Sequence, residues 1–202
     1  MKFTFQIILL LSLTLFAQTN SEKIIIDSDL TFEESIEGIS IPASIKNNLV
    51  LIEVQYYSFD EKLHQGQLLV HKSVVKDLKE IFEIIKEIKF PIDKAVPIVK
   101  YGWNDESSML ANNTSCFNYR KLKGANLISY HSKGLAIDIN PMFNPHIKNN
   151  KPIPIGAIYD KTKPGTLTDL SPVVKEFKKR GWHWGGSWRS SKDYQHFEKR
   201  TN

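Results

Sequence analysis

From Leu49 to Tyr57 the chain reads LVLIEVQYY, a run of β-branched and aromatic residues that predicts a strand. A polar turn, SFDEKLHQG, separates it from a second predicted strand at residues 67–71, so residues 49–71 predict a β-hairpin. The segment KSVVKDLKEIFEIIKEIK follows. Its apolar positions Val74, Val75, Leu78, Ile81, Phe82, Ile85 and Ile88 recur at three- and four-residue intervals. That spacing predicts an amphipathic helix with one buried face, closed before Pro91. Residues 95–101 (AVPIVKY) predict another strand, and the polar stretch 104–124 a loop. A short buried strand is expected at 135–139 and a short helix at 173–180, opening after Ser171-Pro172. Residues 22–46 show no clear periodicity. A hairpin, one long helix and scattered short strands point to an α+β domain.

The first twenty residues carry a different pattern. One lysine precedes an apolar run from Phe3 to Phe16, broken only by Thr4, Gln6, Ser12 and Thr14, and small and polar residues follow. This is the layout of a secretory signal peptide, and it is too short for a membrane span of about 20 residues. The expected organisation is a signal peptide at 1–20, an N-terminal segment of undefined structure at 21–45 and one catalytic-sized domain at 46–202. The mature protein is expected outside the cytoplasm, periplasmic or at the cell wall, without a membrane span and as a monomer. Cleavage removes one lysine, so the formal charge of +5 becomes +4. That charge is spread along the chain with no dense basic stripe, which argues against nucleic acid. Cys116 is the single cysteine, so no intramolecular disulfide can form, and a small buried hydrophobe is the simplest role for it.

Two segments concentrate metal-capable side chains. The first runs Ser129-Tyr-His131-Ser-Lys-Gly134-Leu-Ala136-Ile-Asp138-Ile-Asn140. The second runs Trp182-His-Trp184-Gly-Gly-Ser-Trp188 and on to Asp193-Tyr-Gln-His196-Phe-Glu198. A catalytic zinc takes three protein ligands and leaves one position open. Asp138 sits in the apolar stretch LAIDI, where a carboxylate is costly unless paired or metal-bound. Glycine at 134 lets the chain turn sharply between a loop histidine and a strand carboxylate.

The pattern S-x-H-x-x-G-x-A-x-D, followed after W-x-W-G-G by D-x-x-H-F-E, resembles the zinc D-alanyl-D-alanine carboxypeptidase family. Its relatives include VanY-type carboxypeptidases and L-alanyl-D-glutamate endopeptidases of phage and bacteria. The resemblance extends upstream through Asn113–Arg120 and, more loosely, to the hairpin. It implies a small antiparallel sheet with helices packed beside it and one zinc (Zn2+) per chain held by His131, Asp138 and His196. It further implies Asp193 as general base, Arg120 in contact with the substrate carbonyl or carboxylate, and Ser129 in a supporting role. The implied partners are the stem peptides of bacterial peptidoglycan.

Several alternatives stand beside that reading. Asp193 could orient His196 as an outer partner, Glu198 could serve as the acid/base, Arg120 could belong to a structural salt bridge, and His183 is a rival ligand. Trp182, Trp184 and Trp188 are expected to pack around the site. His64, His71 and His146 have no partner at ligand spacing and read as surface or turn residues. Ser73-Val-Val-Lys76 fits the S-x-x-K pattern of serine penicillin-binding enzymes but lacks the partner motifs. The reading from a different class is a non-catalytic zinc-containing wall-binding module.

Overall fold

The structure is a computed structural model, and it describes residues 23–120 and 128–200. The signal-peptide segment at 1–20 lies outside the described residues, as does the end of the polar stretch at 121–124. In chain order the elements are β1 (Ile25–Ile26), α1 (Phe32–Ser35), α2 (Ala43–Lys46), β2 (Leu49–Tyr57), β3 (Leu63–His71), α3 (Val75–Glu87), β4 (Lys94–Ala95), α4 (Asp105–Leu110), β5 (Asn113–Thr114), β6 (Ala136–Asp138), β7 (His146–Lys148), β8 (Lys151–Ile153), α5 (Pro172–Lys179), β9 (His183–Trp184), β10 (Lys192–Asp193) and β11 (His196–Glu198). No described helix is long and apolar enough to cross a membrane.

The α+β expectation holds, but the sheet is divided. One sheet has the order β1-β3-β2, a second β10-β7-β8, a third β6-β11-β9, and β4 pairs with β5. The β2–β3 hairpin pairs from Leu49↔His71 to Tyr57↔Leu63, four residues further toward its turn than the sequence pattern reached. Its side chains alternate. Ile52, Val54, Tyr56, Leu68 and Val70 meet Leu78, Ile81, Phe82 and Ile85 of α3 in the main core. Leu49 and Leu69 face the other side and join Ile36 and Phe117 in a smaller core. The predicted helix face is therefore buried, except that Ile88 ends the helix exposed.

The smaller core explains residues 23–46. β1 pairs in parallel with β3, and Phe32, Ile41 and Ile45 pack against the same cluster. Elements of two to four residues are too short to display a hydrophobic period, which is why the segment reads as formless in sequence. Two other expectations need correction. Residues 95–101 are not a strand: after Ala95 the chain enters a 3₁₀ turn at Ile98–Tyr101, opened by Pro97. The polar stretch from residue 104 is not all loop either. Asn104 accepts from the Ser107 N–H and caps α4, with Asp105 and Glu106 in its first turn.

α5 begins with Pro172 at its first turn, as the sequence predicts, and buries Val173, Val174 and Phe177. Phe177 stacks on Phe197 of β11 with centroids 4.0 Å apart. That contact ties the core directly to the strand that carries His196.

Candidate metal centre

The site is built by strand register. In β6 and β11 the pairs are His196↔Asp138, Phe197↔Ile137 and Glu198↔Ala136. Side chains alternate across a strand, so Ile137 and Phe197 point into the core while Asp138, His196, Ala136 and Glu198 share the opposite face. The small side chain of Ala136 leaves room beside Glu198. His131 arrives from a 3₁₀ turn at His131–Lys133, ended by Gly134 at φ +68°. That conformation favours glycine, and a Cβ there would lie 2.6 Å from the His71 nitrogen. The Gly134 carbonyl accepts from that same N–H, so the turn is docked on the edge of the hairpin. Ser129 accepts from the His131 N–H at 3.2 Å, which gives it a part in shaping this turn.

His131, Asp138 and His196 thus converge, all buried. The His131 Nε2 is 3.1 Å from His196 Nδ1 and 3.3 Å from Asp138 Oδ1, and His196 Nδ1 is 3.0 Å from the same oxygen. Ligand atoms about 2.0–2.1 Å from a tetrahedral zinc stand about 3.3 Å apart, so this triangle has the size of one face of such a site. The far ring nitrogens are also engaged. His131 Nδ1 donates to the Cys116 carbonyl at 2.6 Å, and His196 Nε2 faces Glu198 Oε2 at 3.3 Å. Outer partners of this kind set the tautomer of metal-binding histidines and turn the free lone pair inward. Glu198 is itself held by Arg200 Nε at 2.8 Å. The donor set therefore fits a zinc ion.

Charge in the cluster is shared. Burial alone would push the Asp138 carboxyl up, but His131 and the hydrogen bonds from both histidines hold it well below the usual range. For His196 burial opposes the charged ring, while the bonds to Asp138 and Glu198 push its pKa up to about 10. The sign follows directly. A histidine raised from 6.5 to about 10 stabilises the metal-free fold below pH 6.5, and that contribution is lost as pH rises through 10. A metal must displace this proton. Apparent zinc affinity should then rise about tenfold per pH unit between pH 6.5 and 10. Chelator-competition titrations at three pH values measure this, and a flat profile would show that His196 surrenders no proton.

A cavity of ≈ 560 Å³ opens beside the cluster, bordered by Asp105, Arg120, His146, Trp188 and Asp193 among others. Two wider depressions, by the N-terminal helices and beside Asp27 and His64, hold no comparable donor set among the described residues. Asp193 is bonded to none of the three donors, and burial raises its pKa to about 7. Arg120 borders the cavity while pairing with Asp105 through Nη1. Both weighed roles, salt bridge and substrate contact, are geometrically open to it.

The rival assignments fare differently. Glu198, not Asp193, partners His196. His183, the rival ligand, is exposed on β9 and lies outside the donor cluster. Trp182 and Trp184 are buried in the core against Phe177 and Phe197 rather than on the cavity wall, and Trp188 stands 5.5 Å from the His196 ring. His64 is not a surface residue: it is buried between Asp27 and Asp60. Ser73 is exposed and bonds His71, and Lys76 is 87% exposed, so the S-x-x-K pair forms no site. Cys116 is buried, and burial first, Asp138 second, push its thiol well up, as suits a small hydrophobe. His146 is the site residue that sequence reasoning missed. Nothing in its own neighbourhood signals the site, because its neighbour there, Asp193, belongs to a distant strand.

Residues 123–199 match the family model described as D-alanyl-D-alanine carboxypeptidase. Over this segment the chain is similar to that peptidase family. No curated protein and no solved structure matches the chain. The matched segment contains all three converging donors, Asp193, Ser129 and His146. Arg120 and Cys116 lie just ahead of it.

Proposed function

We propose that this chain is an exported zinc peptidase that hydrolyses peptide bonds in the stem peptides of bacterial peptidoglycan. The observation that carries the reading is the triangle of His131 Nε2, Asp138 Oδ1 and His196 Nδ1, with edges of 3.0–3.3 Å, inside a peptidase-family segment. His131, Asp138 and His196 would hold a zinc ion there, which would supply carbonyl polarisation and a water that is acidic near neutral pH. The remaining steps belong to the chain. Asp193, with a pKa near 7, takes the water's proton and afterwards gives it to the leaving amine. Arg120 steadies the negative charge that develops on the carbonyl oxygen. Ser129 and Gly134 hold the turn that presents His131. The apolar wall of Ile128, Ile153 and Trp188 offers contact for small apolar side chains of the substrate.

Digestion of purified muropeptides by the zinc-loaded protein tests this, with products read by mass spectrometry. Release of a terminal D-alanine marks a carboxypeptidase, and a cut within the stem marks an endopeptidase. Binding of wall fragments with no cleavage would instead favour a non-catalytic zinc-containing module, a reading that Asp193 and Arg120 at the cavity argue against.

Arg120 gives a sharper test. Its side chain is 39% exposed, and exposed ion pairs contribute about 0–1 kcal/mol. Arg120→Ala should therefore keep its melting temperature within a few degrees while turnover falls roughly 10²–10³-fold. Intact turnover in this variant would leave Arg120 as a salt-bridge partner only.

A further inference from the structure

β7 and β10 run antiparallel, and His146 stands directly opposite Asp193 in their register. Opposed residues share one face of a sheet, with Cβ atoms about 4.5–5.5 Å apart. The His146 Nδ1 lies 3.6 Å from Asp193 Oδ2, one small rotation from a hydrogen bond. Both side chains border the cavity beside the three converging donors, while His146 is outside the donor cluster itself. Gly185 closes in on Asp193 as well: a Cβ on it would lie 2.8 Å from the Asp193 Cβ. The aspartate is thus bounded by bare backbone, by an imidazole and by the Gln195 side chain. Asp193 Oδ1 and His146 Nε2 are both buried with no hydrogen-bond partner among the described residues, and buried polar atoms of this kind call for an explanation.

Resting on the proposal that Asp193 takes the water's proton, we infer that His146 is a positioning residue for that base, its Nδ1–H directed at Asp193 Oδ2. An ionised carboxylate only accepts, so the imidazole that faces it carries its hydrogen on Nδ1. One carboxylate oxygen is tethered in this way, and the other keeps its accepting capacity for the reaction. The sequence hides the relation because the two residues meet only through strand pairing.

The test uses three substitutions of His146, with Asp193→Ala beside them, in the full, zinc-loaded protein with muropeptide substrate. An asparagine amide nitrogen falls near the place of Nδ1, a glutamine amide near Nε2, and phenylalanine supplies neither. His146→Phe should lower kcat roughly 10–100-fold with KM within about twofold. His146→Asn should recover most of that loss and His146→Gln little of it. A second readout needs no turnover: imidazole ¹⁵N spectra of the metal-free protein should show His146 protonated on Nδ1, and Asp193→Ala should abolish that preference. Unchanged kcat in His146→Phe, a loss carried by KM, glutamine rescuing as well as asparagine, or an Nε2–H tautomer each overturns the inference. Full turnover in Asp193→Ala overturns the base assignment and this inference with it. A collapse in Asp193→Ala without one in His146→Phe overturns this inference alone.

Discussion

Asp193→Ala should bind zinc almost as well as the wild-type protein and lose about 10²–10⁴ in turnover, the range for one positioned acid/base group. The separation of the two effects comes from the geometry. Asp193 makes no hydrogen bond to His131, Asp138 or His196, and the place beside His196 Nε2 is taken by Glu198. The fold should not suffer. A carboxyl raised from 3.8 to about 7 contributes stability below pH 3.8 that is lost as pH rises through 7. At pH 8 its removal relieves a buried charge, so stability should be unchanged or higher. Zinc titration, thermal melting and peptide release must be measured on the same preparation. Weakened metal together with lost activity would make Asp193 a support of the metal site, and full activity would pass the proton to another group.

His131→Ala should lose the metal outright, and with it all measurable hydrolysis. A catalytic zinc has three protein ligands, and the two histidines are each pre-set by an outer bond, so removing one leaves a two-donor site. Glu198→Ala removes only an outer partner. It should weaken zinc by roughly 10–100-fold and leave activity recoverable at saturating metal. The expected order of metal loss is therefore His131→Ala, then Glu198→Ala, then Asp193→Ala. Elemental analysis of the three purified variants reads it directly. A full equivalent of zinc in His131→Ala would remove His131 from the site.

The sequence by itself determined what depends on near neighbours. The three- and four-residue spacing of Val74 through Ile85 defines α3, because one helix face is decided within a few turns. The run of β-branched and aromatic residues from Leu49 to Tyr57 defines β2 in the same local way. The His131–Gly134–Asp138 spacing was legible too, since a tight turn running into a buried strand is a local matter, and the third donor, His196, was reached only through the resemblance. Pro97 and the Asn104 cap were also local signals, but they lie in elements too short for a period to form, and the polar composition of residues 104–110 masked the helix. The tertiary structure alone decided the rest. It put Asp138 opposite His196, gave Glu198 rather than Asp193 to the His196 ring, buried His64 between two carboxylates and brought His146 to Asp193. Asp138 with His196, Asp27 with His64 and Asp193 with His146 are pairings between residues far apart in the chain, and Glu198, though only two residues from His196, shares its face because β11 pairs with β6. Such pairings are selected by the burial of the whole core around Phe177 and Phe197, and no local window of sequence contains that free energy.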